Sequence, residues 1–175
     1  MVGEDSMWSN AIIAGAGLIF VAGLLDAAVS DLRAFRIANR SPLLLLAAFV
    51  PAAVAAGFGW QDWLNHLGAG LALLVIGVVL FARGVWGGGD AKLLPAVAVW
   101  TGLAGLPRFL IVMALVGGVL AVLALLARRL PLGPSGAVRA WGERLAASGH
   151  VPYGVAIAAG GIDWWGMALF PSLTG

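Results

Sequence analysis

Residues 68–86 read GAGLALLVIGVVLFARGVW, and residues 87–90 follow as GGGD. The first nineteen carry one charge, Arg83. A helix needs about 20 apolar residues to cross a bilayer, so this stretch predicts a membrane span that stops at a glycine turn beside an acid. Similar runs lie on both sides. They cover residues 10–30, 43–58, 93–106, 109–127 and 151–169, with a more polar stretch at 128–150. The fourth run is short and holds Pro95, and residues 107–108 are read as its turn. The expected fold is therefore all-α: one polytopic membrane domain, residues 1–175, with about six transmembrane helices.

Composition agrees. Of 175 residues, 62% are apolar and 10% charged, and the mean hydropathy is +1.01. An ordinary soluble domain is roughly 45–50% apolar and about 25% charged. A soluble globule, a disordered chain and a coiled coil are excluded, and the lipid bilayer is an expected partner. Ten basic residues cannot make the face a nucleic acid needs, so no nucleic-acid partner is expected. Without cysteine there is no disulfide, thiolate zinc site, iron–sulfur cluster or thiol nucleophile. The first run is preceded by Glu4 and Asp5 and is too long for a signal core, which predicts a retained helix. Glycine is abundant, 26 residues, as close packing of membrane helices requires.

Basic residues set the orientation, since Lys and Arg collect in cytoplasmic loops. In the six-span layout Arg108 alone falls opposite the other nine. That layout puts the basic face in the cytoplasm and both termini outside. Trp8, Trp60, Trp63, Trp164 and Trp165 are then expected as an outer aromatic belt.

Spans one and three both run inward and end on acids, Asp31 and Asp90. The two carboxylates are thus expected at one membrane face and similar depth. Acids at a membrane edge are costly and are functional candidates. Two close carboxylates resist double ionisation and share a proton. The ionised member can take a proton from water while the other polarises a peptide carbonyl. Gly87 and Gly89 would let backbone approach a bound peptide. The alternative is that each Asp caps a helix or sits among headgroups. Asp26 competes with Asp31, but lies roughly 140° around the helix and about 7.5 Å deeper. A polar contact between helices, or the inner wall of the site, suits it better. Lys92 either orients substrate or snorkels to the interface. Arg33, Arg36 and Arg40 are read as topology determinants, and His66 and His150 as loop residues with no metal-spaced partner. Asp163 is placed at the outer interface. Residues 137–148 have helical apolar spacing and are expected on the membrane surface.

These residues also carry a family resemblance. Asp31-Leu32-Arg33 followed by Ile37-Ala38-Asn39-Arg40 resembles the first active-site motif of type IV prepilin peptidases. Gly87-Gly88-Gly89-Asp90-Ala91-Lys92 is similar to their second, Gly-x-Gly-Asp. Val151-Pro152-Tyr153-Gly154-Val155-Ala156-Ile157-Ala158 looks like the closing segment of the short CpaA/TadV-like branch, which serves Flp-type (Tad) pili. The resemblance implies an aspartic endopeptidase of the bacterial inner membrane. It would cut the leader from prepilin-like substrates at the cytoplasmic face, with Asp31 and Asp90 catalytic and no metal or organic cofactor. Gly87, Gly89 and Lys92 would meet the substrate. Ala38 stands where the family usually has Pro. N-methylation is not implied, because the paired Cys-x-x-Cys insert of the long members is missing. Two other readings remain open at this point: a presenilin-like intramembrane protease, and a non-catalytic pilus-assembly or transport component.

Overall fold

A computed structural model describes residues 2–129 and 151–173. The described residues form five helices and no strand: α1 (Val2–Ala34), α2 (Arg40–Ala55), α3 (Trp60–Ala82), α4 (Asp90–Arg129) and α5 (Tyr153–Leu173). Residues 130–150, including His150 and the expected surface segment 137–148, lie outside the described residues. Three helices are long and apolar enough to cross a membrane, at Ser6–Ala34, Trp60–Ala82 and Asp90–Leu126. Leu18, Leu43, Leu71 and Leu115 are each more than 60% exposed. Soluble proteins rarely leave such broad apolar surface to water, whereas lipid tails accept it. The chain is a membrane protein.

Gln61, Asp62, Asn65 and His66, the polar residues between the second and third apolar runs, form the first two turns of α3. Asp62 folds back to accept the Gly59 N–H at 2.9 Å, which caps the helix start. Asn65 and His66 are therefore helical residues. Their partners explain why the turn expected at residues 107–108 lies elsewhere.

α4 is interrupted at Gly102, with φ 60° and ψ −179°. Essentially only glycine adopts that region. The chain reverses there. Ile157 of α5 shares a cleft with both Leu94 and Met113. Further along α5, Gly161 abuts Val97, Gly160 abuts Phe109 and Trp164 covers Gly105. Residues before and after Gly102 thus meet α5 in mirrored order, as in a helical hairpin. In an unbroken helix the Leu103 N–H would donate to the Val99 carbonyl. Here it donates to Asn65 Oδ1 at 2.8 Å, and Val99 O lies 2.7 Å from His66 Nδ1. A carbonyl only accepts, so Nδ1 carries the hydrogen. Two side chains of α3 thereby replace one lost backbone bond. In lipid an unsatisfied backbone group costs several kcal/mol.

Residues 93–102 are buried throughout, so this half of α4 is the core of the bundle. Its continuous apolar sequence fits burial on every side. α3 packs on it through Gly70 and Gly77, which face backbone carbonyls of Pro95 and Ala91. Trp100 donates its indole N–H to the Leu45 carbonyl at 2.9 Å and packs with Phe20, Phe49 and Trp165.

The expected tryptophan belt divides. Trp8 and Trp60 are 64% and 69% exposed. Trp63, Trp164 and Trp165 are only half-buried and pack inward on Phe20, Phe49 and Phe58. Small residues such as Gly17 and Gly105 admit these rings. Arg108 makes a two-point contact with Asp163, at 2.8 and 3.1 Å, at this tryptophan-rich end.

Candidate active site

The opposite end holds the two acids. Phe35 ends α1 with a positive φ of 50°, and its N–H returns to the Asp31 carbonyl at 2.8 Å. This reversal, uncommon for a non-glycine residue, swings residues 36–39 across the end of the bundle. Ser30 Oγ donates to the Arg36 carbonyl at 2.7 Å and fixes the loop from below. Ile37 is its apolar anchor. A Cβ built on Gly89 would lie 2.9 Å from Ile37 Cβ, and one on Gly154 would lie 3.1 Å from Ile37 Cδ1. The Ile37 side chain thus fills space that two missing Cβ atoms leave.

Asp31 is 7% exposed, in the last turn of α1. The Gly154 N–H, at the start of α5, donates to its Oδ2 at 2.7 Å. Asp90 begins α4, where the exposed N–H groups of a helix start favour an acid. The glycine turn is tied to that start by the Ala91 N–H on Gly87 O, 3.1 Å, and the Leu93 N–H on Gly89 O, 2.9 Å. Gly89→Val therefore collides with Ile37 and tilts Asp90. We expect activity to fall about tenfold or more, as read by initial rates with protein level checked by immunoblot.

Both carboxylates line one cavity of about 260 Å³, together with Phe35, Arg36, Ile37, Gly87, Gly88, Gly89 and Val151. Residues 59 positions apart are thus neighbours in space. Asp90 also borders a smaller cleft of about 80 Å³ with Trp86, Leu94, Met113, Tyr153 and Ile157. A polar chamber with an apolar annex suits a peptide bond flanked by an apolar side chain.

Lys92 does not line this cavity. Its Nζ donates to Asn39 Oδ1 at 3.0 Å, which joins the loop after Asp31 to the turn before Asp90. Asn39 and Lys92 stand at one end of an apolar groove of about 560 Å³, floored by Pro95, Ala96 and Val99. The groove lies where α2 and α3 diverge without packing against each other.

Asp26 is engaged elsewhere. Arg40 grips both its oxygens, and Ser41 Oγ donates to Oδ2 at 2.9 Å. It joins α1 to α2, which is the interhelical contact expected of it. Asp26→Asn keeps hydrogen-bonding capacity and leaves the cavity untouched, so activity should stay within about threefold of wild type. The ion pair is partly exposed, so solvent screens it. A large loss of activity in this variant would show that Asp26 takes part in the reaction.

The family model described as type IV leader peptidase matches residues 18–122, more than half of the chain. The chain belongs to the type IV leader peptidase family. The family supplies a protease activity and a prepilin substrate. The matched residues include both acids and the glycine turn, whereas Gly154 lies beyond them. No curated protein and no solved structure is significantly similar to the chain.

Sequence reasoning missed Ile37 and Gly154 as members of the site. Both stood inside quoted motifs, at a loop and at a helix start. Which neighbours they touch is set by packing between distant segments, which no local pattern reports.

Proposed function

We propose that this leader peptidase is of the aspartic type, with Asp31 and Asp90 as its catalytic pair. The observation that carries the reading is the single cavity lined by both carboxylates and by Gly87 and Gly89. In that cavity the ionised carboxylate takes a proton from a water molecule, and the protonated one polarises the scissile carbonyl. Gly87 lets the turn run close beside the Asp90 carboxylate, and the Cβ side of Gly89 receives Ile37. Lys92, braced by Asn39, contacts the substrate at the groove mouth. The substrate's own apolar helix lies along the bundle, so its binding aligns the scissile bond with the pair.

The finer assignment is a short CpaA/TadV-like enzyme that cuts Flp-type prepilins. The reversal at Gly102 supports six crossings, with both termini outside and the site at the cytoplasmic face. Arg33, Arg36, Arg40, Arg83 and Lys92 all lie at or near the end that carries Asp31 and Asp90, in keeping with that orientation.

The test is co-expression with a Flp-type prepilin, followed by mass spectrometry of the product. One cut between the basic leader and the apolar helix is expected. A cut within the apolar helix would identify intramembrane proteolysis instead. An intact prepilin beside well-expressed enzyme would overturn the substrate assignment and favour an assembly or transport role.

A further inference from the structure

We propose that Gly154 is a positioning residue for Asp31, acting through its backbone N–H; the inference rests on the catalytic reading of the two acids. Asp31 occupies an awkward place for an anion. It lies in the last turn of α1, where carbonyl groups without helical partners face outward and disfavour negative charge. Burial removes most of the water that would otherwise offset this. The start of α5 compensates. Its first-turn N–H groups are unpaired within the helix, and the one at Gly154 meets Asp31 Oδ2 at 2.7 Å. Among the described residues, the charged groups that line the cavity with Asp31 are Asp90 and Arg36. Asp90 instead sits at the start of its own helix, where first-turn N–H groups favour an anion.

Only glycine permits this contact. A Cβ at residue 154 would lie 2.9 Å from Asp31 Oδ2 and 3.0 Å from Asp31 Cβ. Real Cβ atoms essentially do not approach so closely, so any side chain must push α5 back or turn the carboxylate. The approach of α5 is itself held in place. Pro152 is buried, its carbonyl accepts the Val155 N–H at 3.2 Å, and the Tyr153 N–H returns to Val151 O at 2.8 Å. The contact fixes the aim of one oxygen of a carboxylate that lines the cavity. It also gives the closing segment of the chain a direct part in the site.

The experiment compares wild type, Gly154→Ala and Gly161→Ala as full-length protein in lipid nanodiscs with a Flp-type prepilin. Gly161 is the control for packing, because it faces the Leu24 side chain on the same two helices away from the acids. For Gly154→Ala we expect kcat to fall about tenfold or more with KM held within about threefold, and the acid limb of the pH–kcat profile to move. Gly161→Ala should leave the limb where wild type has it. Wild-type kcat in Gly154→Ala, or a lower kcat with an unmoved limb, would overturn the proposal. If Gly154→Ala does not fold, the double variant Gly154→Ala/Ile37→Ala gives the new Cβ room on one side and keeps its conflict with Asp31. The same moved limb is expected there, and an unmoved one counts against the proposal. Failure of wild type to cut any prepilin would instead remove the catalytic reading, and this inference with it.

Discussion

Asp31→Asn and Asp90→Asn should each lower kcat/KM for prepilin cleavage by about 10³-fold or more while the protein still folds. The substitution keeps shape and hydrogen-bonding capacity and removes the ability to exchange a proton. At Asp31 an amide oxygen can still accept the Gly154 N–H, so α5 stays docked. At Asp90 the turn over residues 87–89 is held by backbone bonds that do not involve the side chain. Loss of rate is therefore expected without loss of fold, and expression level with thermal unfolding checks this. The losses should not add. If both groups serve one proton-transfer step, the double variant should be about as slow as either single variant. Retained cleavage in either single variant would remove that acid from the mechanism.

Gly102→Ala should destabilise the protein by about 3 kcal/mol, the largest effect expected away from the cavity. Backbone strain in this region contributes about 1–3 kcal/mol for a residue with a side chain. The new Cβ would also lie 3.1 Å from the His66 ring. Moving that ring disturbs the Nδ1 contact with Val99 O, and the neighbouring Asn65–Leu103 bond with it. His66→Phe should reproduce part of the loss, about 1–3 kcal/mol, by removing the donor while filling the space. Reversible unfolding in mixed micelles reads both. Wild-type stability in Gly102→Ala would mean that the reversal does not require glycine.

Much of this was legible in the sequence. Apolar runs of spanning length gave the helical membrane class, and the parity of the spans brought Asp31 and Asp90 to one end. The break in α4 was not legible. Pro107 and Arg108 carry the usual marks of a turn, whereas Gly102 is one of 26 glycines with nothing local to distinguish it. What decides the matter is the pair Asn65–His66, more than thirty positions away, which can satisfy the backbone only at residues 99–103. The same holds for His66, read as a loop residue because polar side chains near a span end usually are. Trp164 and Trp165 resemble interface anchors by position, yet Gly17 and Gly105 open the interior to them. At the site, the carboxylates were readable from type and topology. Their supports, Ile37 and Gly154, were not, because an apolar side chain and a glycine carry no chemical signature until their neighbours are known.

The central claim is that Asp31 and Asp90 share one cavity, and the absence of cysteine makes it directly measurable. In native membranes, Asp31→Cys/Asp90→Cys should be joined by a short bifunctional maleimide, and Asp26→Cys/Asp90→Cys should not. Asn39→Cys/Lys92→Cys, whose native side chains meet at 3.0 Å, should cross-link and report that the end of the bundle is folded. Cross-linking of the first and third pairs alone is the result the account predicts. Cross-linking at 26 and 90, or none at 31 and 90 while 39 and 92 join, would contradict it.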